Sequence, residues 1–456
     1  MHLESDTFAR MNSLRFLKFY HPFYFMDSKD KVHLPLSGLK HLSDELRYLH
    51  WHRFPAKSLP QNFCAENIVD LTLHSSRVEK LWTGVQDLLN LRWIDLSRST
   101  HLLEIPDLSR AKNLKYIDLS FCESLLEVHS SIQHLEKLEI LILSGCKNLG
   151  IVPKTIESKF LRILDLSHCK NVRKCPEISG YLEELMLQGT AIEELPQSIS
   201  KVKEIRILDL SGCSNITKFP QISGNIKQLR LLWTVIEKYL KLNYCKSILS
   251  LPELPLSLEF LEAVGCESLE TLSIGKESNF WYLNFANCFR LDQKPLLADT
   301  QLKIQSGKMR REVTIILPGS EIPGWFCDQS MGSSVAIKLP TNCHQHNGFA
   351  FGMVFVFPDP PTELQCNRIF ICECHARGEN DEHHDVLFNL STCAYELRSV
   401  ESDQMLLLYN PCEFVKRDCI SQYSGKEISF EFYLDEPSGI QNRCKVKRCG
   451  VYLMDE

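Results

Sequence analysis

Residues 114–122 read L-K-Y-I-D-L-S-F-C, in which Leu114, Ile117 and Leu119 lead to Cys122 with the spacing L-x-x-L-x-L-x-x-C. The same phrase ends at Cys146, Cys169 and Cys213, and weaker copies end at Cys245, Cys266 and Cys288. Recurrence at a period of about 21–24 residues is typical of leucine-rich repeats. The phrase therefore predicts an α/β leucine-rich-repeat solenoid, a horseshoe whose concave face usually holds a binding partner.

The repeat phrase can be followed to residue 291, so we place the solenoid at residues 1–291, with about 12–13 repeats. The second Leu or Ile of each phrase is Leu17, Leu49, Leu71, Ile94, Ile117, Leu141, Leu164, Leu185, Leu208, Leu229, Leu240, Leu261 or Leu283. The long first step contains the polar stretch 27–31 and indicates a surface insertion near residues 20–40. The step over residues 229–240 is only half a period, which indicates either a kink or a lost segment.

The residues between the leucines should point away from the core, because side chains alternate along a strand. The aromatic members of this outward set are Tyr48, Trp93, Tyr116, Phe121, Trp233, Phe260, Trp281 and Tyr282. Trp and Tyr are enriched among residues that dominate protein–protein binding energy. We expect these rings to form a protein-binding surface on the concave face, although rings on neighbouring strands also stabilise a sheet by packing together.

Charged residues form two further columns. Aspartates take the middle outward position at Asp95, Asp118, Asp165 and Asp209. Basic residues precede the aromatic position at Arg47, Arg92, Lys115, Arg162, Arg206 and Lys227. Carboxylates on adjacent strands repel one another, so we expect the basic column to neutralise them in a structural ladder, with less than about 1 kcal/mol for each exposed pair. A site for a charged ligand is the alternative.

Composition excludes several classes of protein. The 456-residue chain has a net charge of −6 and a pI near 6.3, which argues against a nucleic-acid binder because such proteins need a concentrated basic surface. Residues 1–10 are polar and lack the apolar core of a signal peptide. The longest apolar run, Gly348–Phe357, is too short to span a membrane. We therefore predict a reducing, cytoplasmic location, with which a nucleo-cytoplasmic distribution is also compatible.

The repeat pattern ends after Leu291. Residues 292–311 are polar and are predicted to form a linker, and from Glu312 the apolar period changes to two. The alternating runs are Val313–Leu317, Ser334–Leu339, Gly348–Phe357, Arg368–His375, Val386–Leu390, Gln404–Tyr409, Glu427–Leu434 and Lys445–Met454. They predict an antiparallel all-β sandwich over residues 312–456.

Motifs for catalysis or metal binding are absent or incomplete. No Gly-Lys pair is preceded by the glycine that a P-loop requires, and neither G-x-S-x-G nor H-E-x-x-H occurs. Cys372, Cys374 and His375, followed by the acidic loop with His383 and His384, offer ligand types that zinc prefers. No second Cys-x-x-Cys completes a ligand set, so a strand and a solvated hairpin are the preferred interpretation. We therefore predict that the chain is not an enzyme and that it binds neither a cofactor nor a metal ion.

Longer phrases carry a resemblance to one protein family. In the repeats they are L-R-Y-L-H-W at 46–51, F-P at 54–55, L-P at 59–60, V-E-K-L-W at 78–82, G-V-Q at 84–86, I-D-L-S at 94–97 and L-D-L-S-G-C at 208–213. In the C-terminal region they are L-P-G-S-E-I-P-G-W-F at 317–326, G-S-S-V at 332–335, I-K-L-P at 337–340 and V-K-R-C-G-V at 446–451. Together they resemble the repeats and the C-terminal jelly-roll/Ig-like domain (C-JID) of plant TIR-type nucleotide-binding leucine-rich-repeat (TIR-NBS-LRR) disease resistance proteins.

This resemblance implies a recognition module of an intracellular innate immune receptor, whose repeats and jelly-roll/Ig-like domain bind a pathogen effector protein in the defence response. In that family a nucleotide-binding switch and an NAD-cleaving TIR domain carry the signal. The sequence contains neither a TIR segment nor a P-loop, so only recognition carries over. We expect either a truncated gene product or a fragment that works with a separate nucleotide-binding or TIR-containing receptor chain.

Two other functions remain open at this stage. The repeats could bind a nucleotide-binding receptor domain in trans, as an autoinhibitory module or a decoy, or the jelly-roll domain could bind glycans. The signature loop of the C-terminal domain is a further candidate site, formed by Pro318, Gly319, Glu321, Pro323, Gly324 and Trp325. Its Trp325 and the adjacent Phe326 either fill the core of the sandwich or its seam with the last repeat, or present a loop edge to the effector.

Overall fold

A computed structural model of the chain describes residues 1–19, 32–35, 38–202, 205–219, 239–254, 258–275, 278, 280–307, 309, 311–341, 348–356, 368–377, 384–394, 402–411, 423–435 and 445–454. The chain divides into two compact units, Met1–Leu240 (unit 1) and Lys241–Glu456 (unit 2). The division therefore falls inside the predicted repeat region. Most of the predicted insertion near residues 20–40, and all of the half-period before Tyr239, lie outside the described residues.

Unit 1 contains one short strand for each repeat phrase. The strands are β1 (Phe16–Phe19), β2 (Tyr48–Trp51), β3 (Asp70–Thr72), β4 (Trp93–Asp95), β5 (Tyr116–Asp118), β6 (Ile140–Ile142), β7 (Thr155–Ile156), β8 (Ile163–Asp165), β9 (Glu177–Ile178), β10 (Glu184–Met186) and β11 (Ile207–Asp209). Two 3₁₀ helices cover Ser130–His134 and Gln197–Lys201. All strands except β7 and β9 pair in parallel in chain order, while β7 and β9 pair with each other.

The middle residue of each strand forms the core of this ladder. Leu71, Ile94 and Ile117 lie side by side in register, and their exposed fractions are 0%, 2% and 1%. Full burial of such a side chain stabilises a fold by about 1.5–3 kcal/mol. The predicted leucine-rich-repeat solenoid is thereby confirmed in unit 1.

The repeat cysteines connect each repeat to the one before it. The buried thiol of Cys146 donates a hydrogen bond to the Leu119 carbonyl over 3.1 Å, and that of Cys169 donates to the Leu143 carbonyl over 3.1 Å. Burial raises the pKa of both thiols to about 12. A small neutral donor therefore satisfies a core carbonyl in the preceding coil, which explains the recurrence of Cys in the phrase.

The described part of unit 2 contains further short strands of the repeats, a helix and a set of longer strands. After β12 (Tyr239–Lys241), which lies at the division, they are β13 (Ser250–Leu251), β14 (Phe260–Glu262), β15 (Thr271–Leu272), β16 (Tyr282–Asn284), α1 (Lys294–Gln305), β17 (Val313–Pro318), β18 (Asp328–Met331), β19 (Ser334–Lys338), β20 (Gly348–Val356), β21 (Arg368–Arg377), β22 (His384–Ala394), β23 (Gln404–Pro411), β24 (Glu427–Asp435) and β25 (Lys445–Met454). Strands β14, β16 and β17 pair in parallel, which extends the repeat ladder into the C-terminal region.

The longer strands form two antiparallel sheets. The first sheet has the order β17–β23–β20–β25–β18, and the second has the order β19–β24–β21–β22. Rings from both sheets meet between them, because Phe351 of β20 lies 5.4 Å from Phe430 and 6.2 Å from Phe432 of β24 between ring centroids. All the alternating runs predicted from the sequence are strands. Among the described strands of these two sheets, β18 was not predicted, because it is polar and largely exposed at a sheet edge.

The segment predicted as a linker contains helix α1. Its buried residues Leu296, Thr300 and Ile304 recur every four positions and therefore form one face. Pro295 lies in the first turn, where its missing N–H costs no hydrogen bond. The polar composition of residues 292–311 thus belongs largely to the solvent side of an ordered helix.

Labelling with iodoacetamide at pH 8 should separate the repeat cysteines from an exposed one. A thiol with a pKa of about 12 has about one thiolate in 10⁴ at this pH, and burial hinders access as well. Peptide mapping should find Cys146 and Cys169 unmodified in the native chain and modified after unfolding. Cys327, which is exposed, should react in the native chain and is the internal control. Rapid native labelling of Cys146 would contradict the predicted burial.

Candidate protein-binding surface

The parallel register of unit 1 aligns the outward side chains in two columns. The first outward column, just before the buried middle residue, contains Phe16, Tyr48, Asp70, Trp93, Tyr116, Ile140, Ile163, Glu184 and Ile207. The second outward column, just after it, contains Lys18, His50, Thr72, Asp95, Asp118, Ile142, Asp165, Met186 and Asp209. We call these two columns together the ladder face.

Aromatic rings in the first outward column stack in pairs. The ring centroids of Trp93 and Tyr116 are 3.5 Å apart with planes 7° from parallel, and 40% of Trp93 remains exposed. Phe16 and Tyr48 form a second pair at 4.1 Å and 14°, with Phe16 64% exposed. Three of these rings were expected from the sequence. Phe16 was not, although its place one residue before Leu17 is the signal that identifies it.

The aspartates of the second outward column are bound by local backbone groups. Asp118 accepts a hydrogen bond from the Ser120 amide over 2.8 Å, and Asp165 accepts one from the Ser167 amide over 2.8 Å. The predicted neutralisation by the basic column is therefore wrong. The basic side chains pair with glutamates instead, as Lys115 does with Glu139 over 2.6 Å. Arg162 and Arg206 both contact Glu183, at 2.7 and 3.2 Å.

The carboxylates affect the phenol beside them. The Tyr116 hydroxyl donates to Asp118 Oδ2 over 3.3 Å. Partial burial, followed by the negative charges of Asp118 and Asp95, raises the pKa of Tyr116 well above its ordinary value. This part of the ladder face therefore has a negative potential next to exposed aromatic area.

Three histidines, which were not predicted as site residues, lie in or beside the second outward column: His50 is a member of it, and His52 and His74 follow strands β2 and β3. His50 Nε2 is 3.0 Å from Asp70 Oδ2, and His74 Nδ1 is 2.7 Å from the Ser97 hydroxyl. The rings of His52 and His74 are 5.6 Å apart. Burial is the main cause that lowers the pKa of both rings, and their proximity lowers that of His52 further. Since the unfolded chain then binds more protons, their contribution to stability is present above about pH 6.5 and is lost as the pH falls.

Phe121 lies outside the strand that the sequence assigned to it. It occupies the turn after β5 with φ +58°, and its ring lies against Gly145 of the next repeat. The Arg98 guanidinium carbon is 5.2 Å from the centroid of that ring. Phe121 is 42% exposed, but it belongs to the edge of the ladder and not to the two outward columns.

The expected exposure of the unit 2 aromatics is only partly found. Phe260 and Tyr282 stack at 4.4 Å, yet they are 2% and 1% exposed, so the expectation that they present a binding surface is corrected. Tyr282 is in register with Thr314 of β17, whose hydroxyl lies 2.8 Å from that of Thr392 in β22. The neighbouring position of this column, Thr314, therefore contacts the second sheet, and the two rings beside it are buried.

Of the remaining predicted aromatics, Trp281 is partly buried, and its ring centroid is 5.6 Å from that of Phe260. Trp233 lies outside the described residues. The described aromatic residues that face solvent in the outward columns are therefore those of unit 1.

The signature loop is anchored on the first sheet of unit 2. Gly352 of β20 and Gly450 of β25 lie opposite each other, and Ile322 and Phe326 occupy the space above them. A Cβ atom at residue 352 would lie 2.9 Å from the Ile322 side chain. Phe326 is 2% exposed, so this ring is buried and does not form an exposed loop edge. Gly352 projects to the face of β20 opposite that of Phe351, so Phe326 lies on the outer face of the first sheet, and the expectation that it fills the core of the sandwich is corrected.

The other residues of the signature loop remain closer to solvent. Trp325 is partly buried beside Phe326 and Tyr452, with centroid distances of 4.2 and 5.3 Å. Glu321 and Gly324 are exposed, whereas Pro318 ends the buried strand β17 and the Gly319 amide donates to the Asp403 carbonyl over 3.0 Å. The exposed part of the loop is therefore small.

The two cysteines among the candidate zinc ligands are part of the core, His375 is partly buried, and the side chains of His383 and His384 lie outside the described part of the chain. Cys372 and Cys374 project from one face of β21 into the apolar cluster between the sheets, and burial raises the pKa of both thiols. Across the described ranges, His, Cys, Asp and Glu side chains form no group of three or more with the proximity that a metal ion needs. In the same ranges, no helix has the length and apolar character needed to cross a bilayer.

Comparison with known proteins agrees with this architecture. The C-JID domain family matches residues 317–455. The Arabidopsis thaliana disease resistance protein RML1B is 36% identical over 94% of this chain, and disease resistance protein RPS4B of the same plant is 28% identical over all of it. The chain spans 42% and 44% of the length of these two relatives. A leucine-rich-repeat protein of Leptospira interrogans aligns at 18% identity with a TM-score of 0.31, over 59% of this chain and 81% of that structure.

Replacing Gly145 with alanine should destabilise unit 1 more than the same change at Gly212. Both glycines have a left-handed backbone, with φ +74° and +75°, so both variants carry a conformational cost of about 1–2 kcal/mol. Only at residue 145 does the new Cβ meet a ring, at 2.5 Å from Phe121. Displacing that ring from Arg98 should add about 1 kcal/mol, measured by chemical denaturation. An equal loss of unfolding free energy in the two variants would contradict this account. So would a Phe121→Ala/Gly145→Ala double variant in which the additional loss caused by Gly145→Ala is not relieved.

A second pair of variants tests the anchoring of the signature loop. Gly352→Ala should lower the free energy of unfolding of unit 2 by about 1–3 kcal/mol, because Ile322 and Phe326 must move. Gly324→Ala is the matched control, since its new Cβ would have no neighbour within 4 Å and the change should be within about 0.5 kcal/mol. If the denaturant unfolding curves of the two variants coincided, the loop would not be packed against Gly352 and Gly450.

Proposed function

Because this chain is homologous over its whole length to plant disease resistance proteins of the TIR-NBS-LRR type, we propose that it is the recognition module of an intracellular innate immune receptor. In this proposal it binds a pathogen effector protein through the ladder face of unit 1 and contributes to defence signalling. The homology supports a role in plant immunity, and the surface chemistry suggests which part of the chain meets the effector.

The observation that carries the proposal is the exposed stack of Trp93 and Tyr116. Rigid aromatic side chains give large contact area at a small cost in side-chain entropy, and Trp and Tyr are over-represented among binding hot spots. The face around them is an open sheet surface, which suits a protein partner. Of the aromatics predicted in unit 2, Phe260 and Tyr282 are buried and Trp281 is partly buried, so unit 1 has the stronger claim to the contact.

The proposed domain division keeps residues 1–291 as the repeats, 292–311 as the connecting segment with α1, and 312–456 as the C-terminal domain. We assign the two packed sheets to a jelly-roll/Ig-like sandwich, in accordance with the C-JID match. We propose no catalytic role for this part of a resistance protein. A cytoplasmic or nucleo-cytoplasmic location fits the thiols, since the cysteines whose side chains the structure describes are free.

The proposal is tested by binding of the full chain to a panel of pathogen effectors. The variant Trp93→Ala/Tyr116→Ala should weaken effector binding by at least about 30-fold, because truncation of a hot-spot residue costs about 2 kcal/mol or more. Surface plasmon resonance measures the affinity, and circular dichroism verifies that the variant is folded.

Phe160→Ala/Tyr181→Ala is the matched control. These two aromatics are 61% and 60% exposed, but each precedes a repeat strand and lies outside both outward columns. The control should bind with unchanged affinity. Full effector binding by the folded Trp93→Ala/Tyr116→Ala variant would contradict the proposed surface. Binding of the receptor's nucleotide-binding domain, or of soluble oligosaccharides, in place of any effector would favour the corresponding alternative function.

A further inference from the structure

The first outward column contains two aromatic stacks with one short residue between them. Phe16 stacks on Tyr48, and Trp93 stacks on Tyr116, while Asp70 lies in register between Tyr48 and Trp93. Each stack uses one face of Tyr48 and one face of Trp93. Because the rings are nearly parallel to their stacking partners, the other faces of Tyr48 and Trp93 are directed toward the space above Asp70.

The width of this space fits one planar group. Neighbouring strands are about 4.8 Å apart, so side chains on β2 and β4, with β3 between them, are about 10 Å apart. A flat group needs about 3.5–4 Å to the ring on each side, or about 7–8 Å in all. The space can therefore hold one planar side chain between the two rings, with little room to spare.

The floor of the space and its border along the second outward column are acidic, since Asp95 lies opposite Thr72, diagonal to Asp70. Asp70 forms the floor, and its carboxylate accepts a hydrogen bond from the Thr72 hydroxyl over 2.9 Å. Asp95 follows Trp93 on the same strand by two residues, and its Oδ1 accepts from both the Ser97 amide and the Ser97 hydroxyl. These bonds fix the two carboxylates while leaving capacity for further donors, since a carboxylate accepts about four hydrogen bonds.

The cations nearby do not neutralise this pair of carboxylates. Within the described ranges, no lysine or arginine forms an ion pair with Asp70 or Asp95, and the partner of Asp70 is the imidazole of His50 at 3.0 Å. Lys115 is bound to Glu139, and Arg98 lies over the ring of Phe121. A cationic group from outside the chain would therefore meet negative charge.

We propose that this arginine slot, formed by Tyr48, Asp70, Trp93 and Asp95, takes the guanidinium group of an arginine side chain from the protein partner. The inference rests on the proposed function, since it specifies the chemistry that the effector presents to the ladder face. A guanidinium group is planar, stacks on aromatic rings and donates hydrogen bonds in its own plane. A lysine ammonium lacks the flat faces, and a phenyl ring lacks donors for the two carboxylates.

The test uses the full chain labelled with 5-fluorotryptophan and the small probe N-acetyl-arginine amide. The resonance of Trp93 is assigned among the six tryptophans with Trp93→Phe, and its shift is followed during titration. N-acetyl-citrulline amide is the matched probe, because citrulline is flat and of the same size but uncharged. The arginine probe should bind at least about 10-fold more tightly than citrulline and more tightly than the lysine and phenylalanine analogues.

Isosteric variants of the carboxylates identify the site. Asp70→Asn and Asp95→Asn should each weaken binding of the arginine probe several-fold, and Tyr48→Leu should remove one wall. Asp165→Asn is the control, because Asp165 occupies the same strand position as Asp95 but follows Ile163. Equal binding of arginine and citrulline, tighter binding of phenylalanine, an equal effect of Asp165→Asn, or no binding of the arginine probe would each overturn the inference.

Effector binding separates this inference from the proposed function. Suppose that the affinity for an effector depends on Trp93 and Tyr116, but is unchanged by substitution of Asp70, Asp95 or any arginine of the effector. The arginine slot is then wrong and the proposed function stands. If the arginine probe binds as described and no effector is bound, the slot stands and the proposed function fails. An effector whose affinity falls at least 10-fold both with Asp70→Asn and with substitution of one of its arginines would support both.

Discussion

Burial of one side chain in the middle of each repeat strand determines the rest of unit 1. Leu71, Ile94 and Ile117 lie side by side because each fills the core against the next coil. A shift by one residue would bring Trp93 and Asp95 into the core and expose the leucines. The register is therefore strongly specified, and it aligns the outward residues in columns. The aromatic stacks, the carboxylates and the space above Asp70 all follow from this alignment.

The sequence was sufficient for features that depend on local periodicity. The L-x-x-L-x-L phrase predicted the repeat strands and the exposed Trp93, and the alternation after Glu312 predicted the long strands. It was insufficient where distant segments meet. Phe260 and Tyr282 hold outward positions like Trp93 but are buried, and the next residue of their column, Thr314, contacts Thr392 from a distant strand. The aspartates were misassigned because backbone amides two residues away are nearer than the basic side chains.

In the C-terminal region, the signature loop mainly packs against the first sheet, and only a small part of it is exposed to solvent. Ile322 and Phe326 lie over the opposed Gly352 and Gly450, where a larger residue at 352 would displace them. Glycine suits these two positions because the loop approaches the sheet closely. The motif P-G-S-E-I-P-G-W-F is thus mainly an anchor on the outer face of the first sheet, with Glu321 and Gly324 facing solvent.

Hydroxyl-radical footprinting of the chain, alone and with a bound effector, tests the central claim most directly. The claim is that the exposed aromatics of unit 1 are the contact surface, so oxidation of Phe16, Trp93 and Tyr116 should fall when the effector binds. Phe160 and Tyr181 should be oxidised equally in both states. Protection of Phe160 and Tyr181, with Trp93 still fully reactive, would contradict the claim and move the binding surface to another side of the repeats.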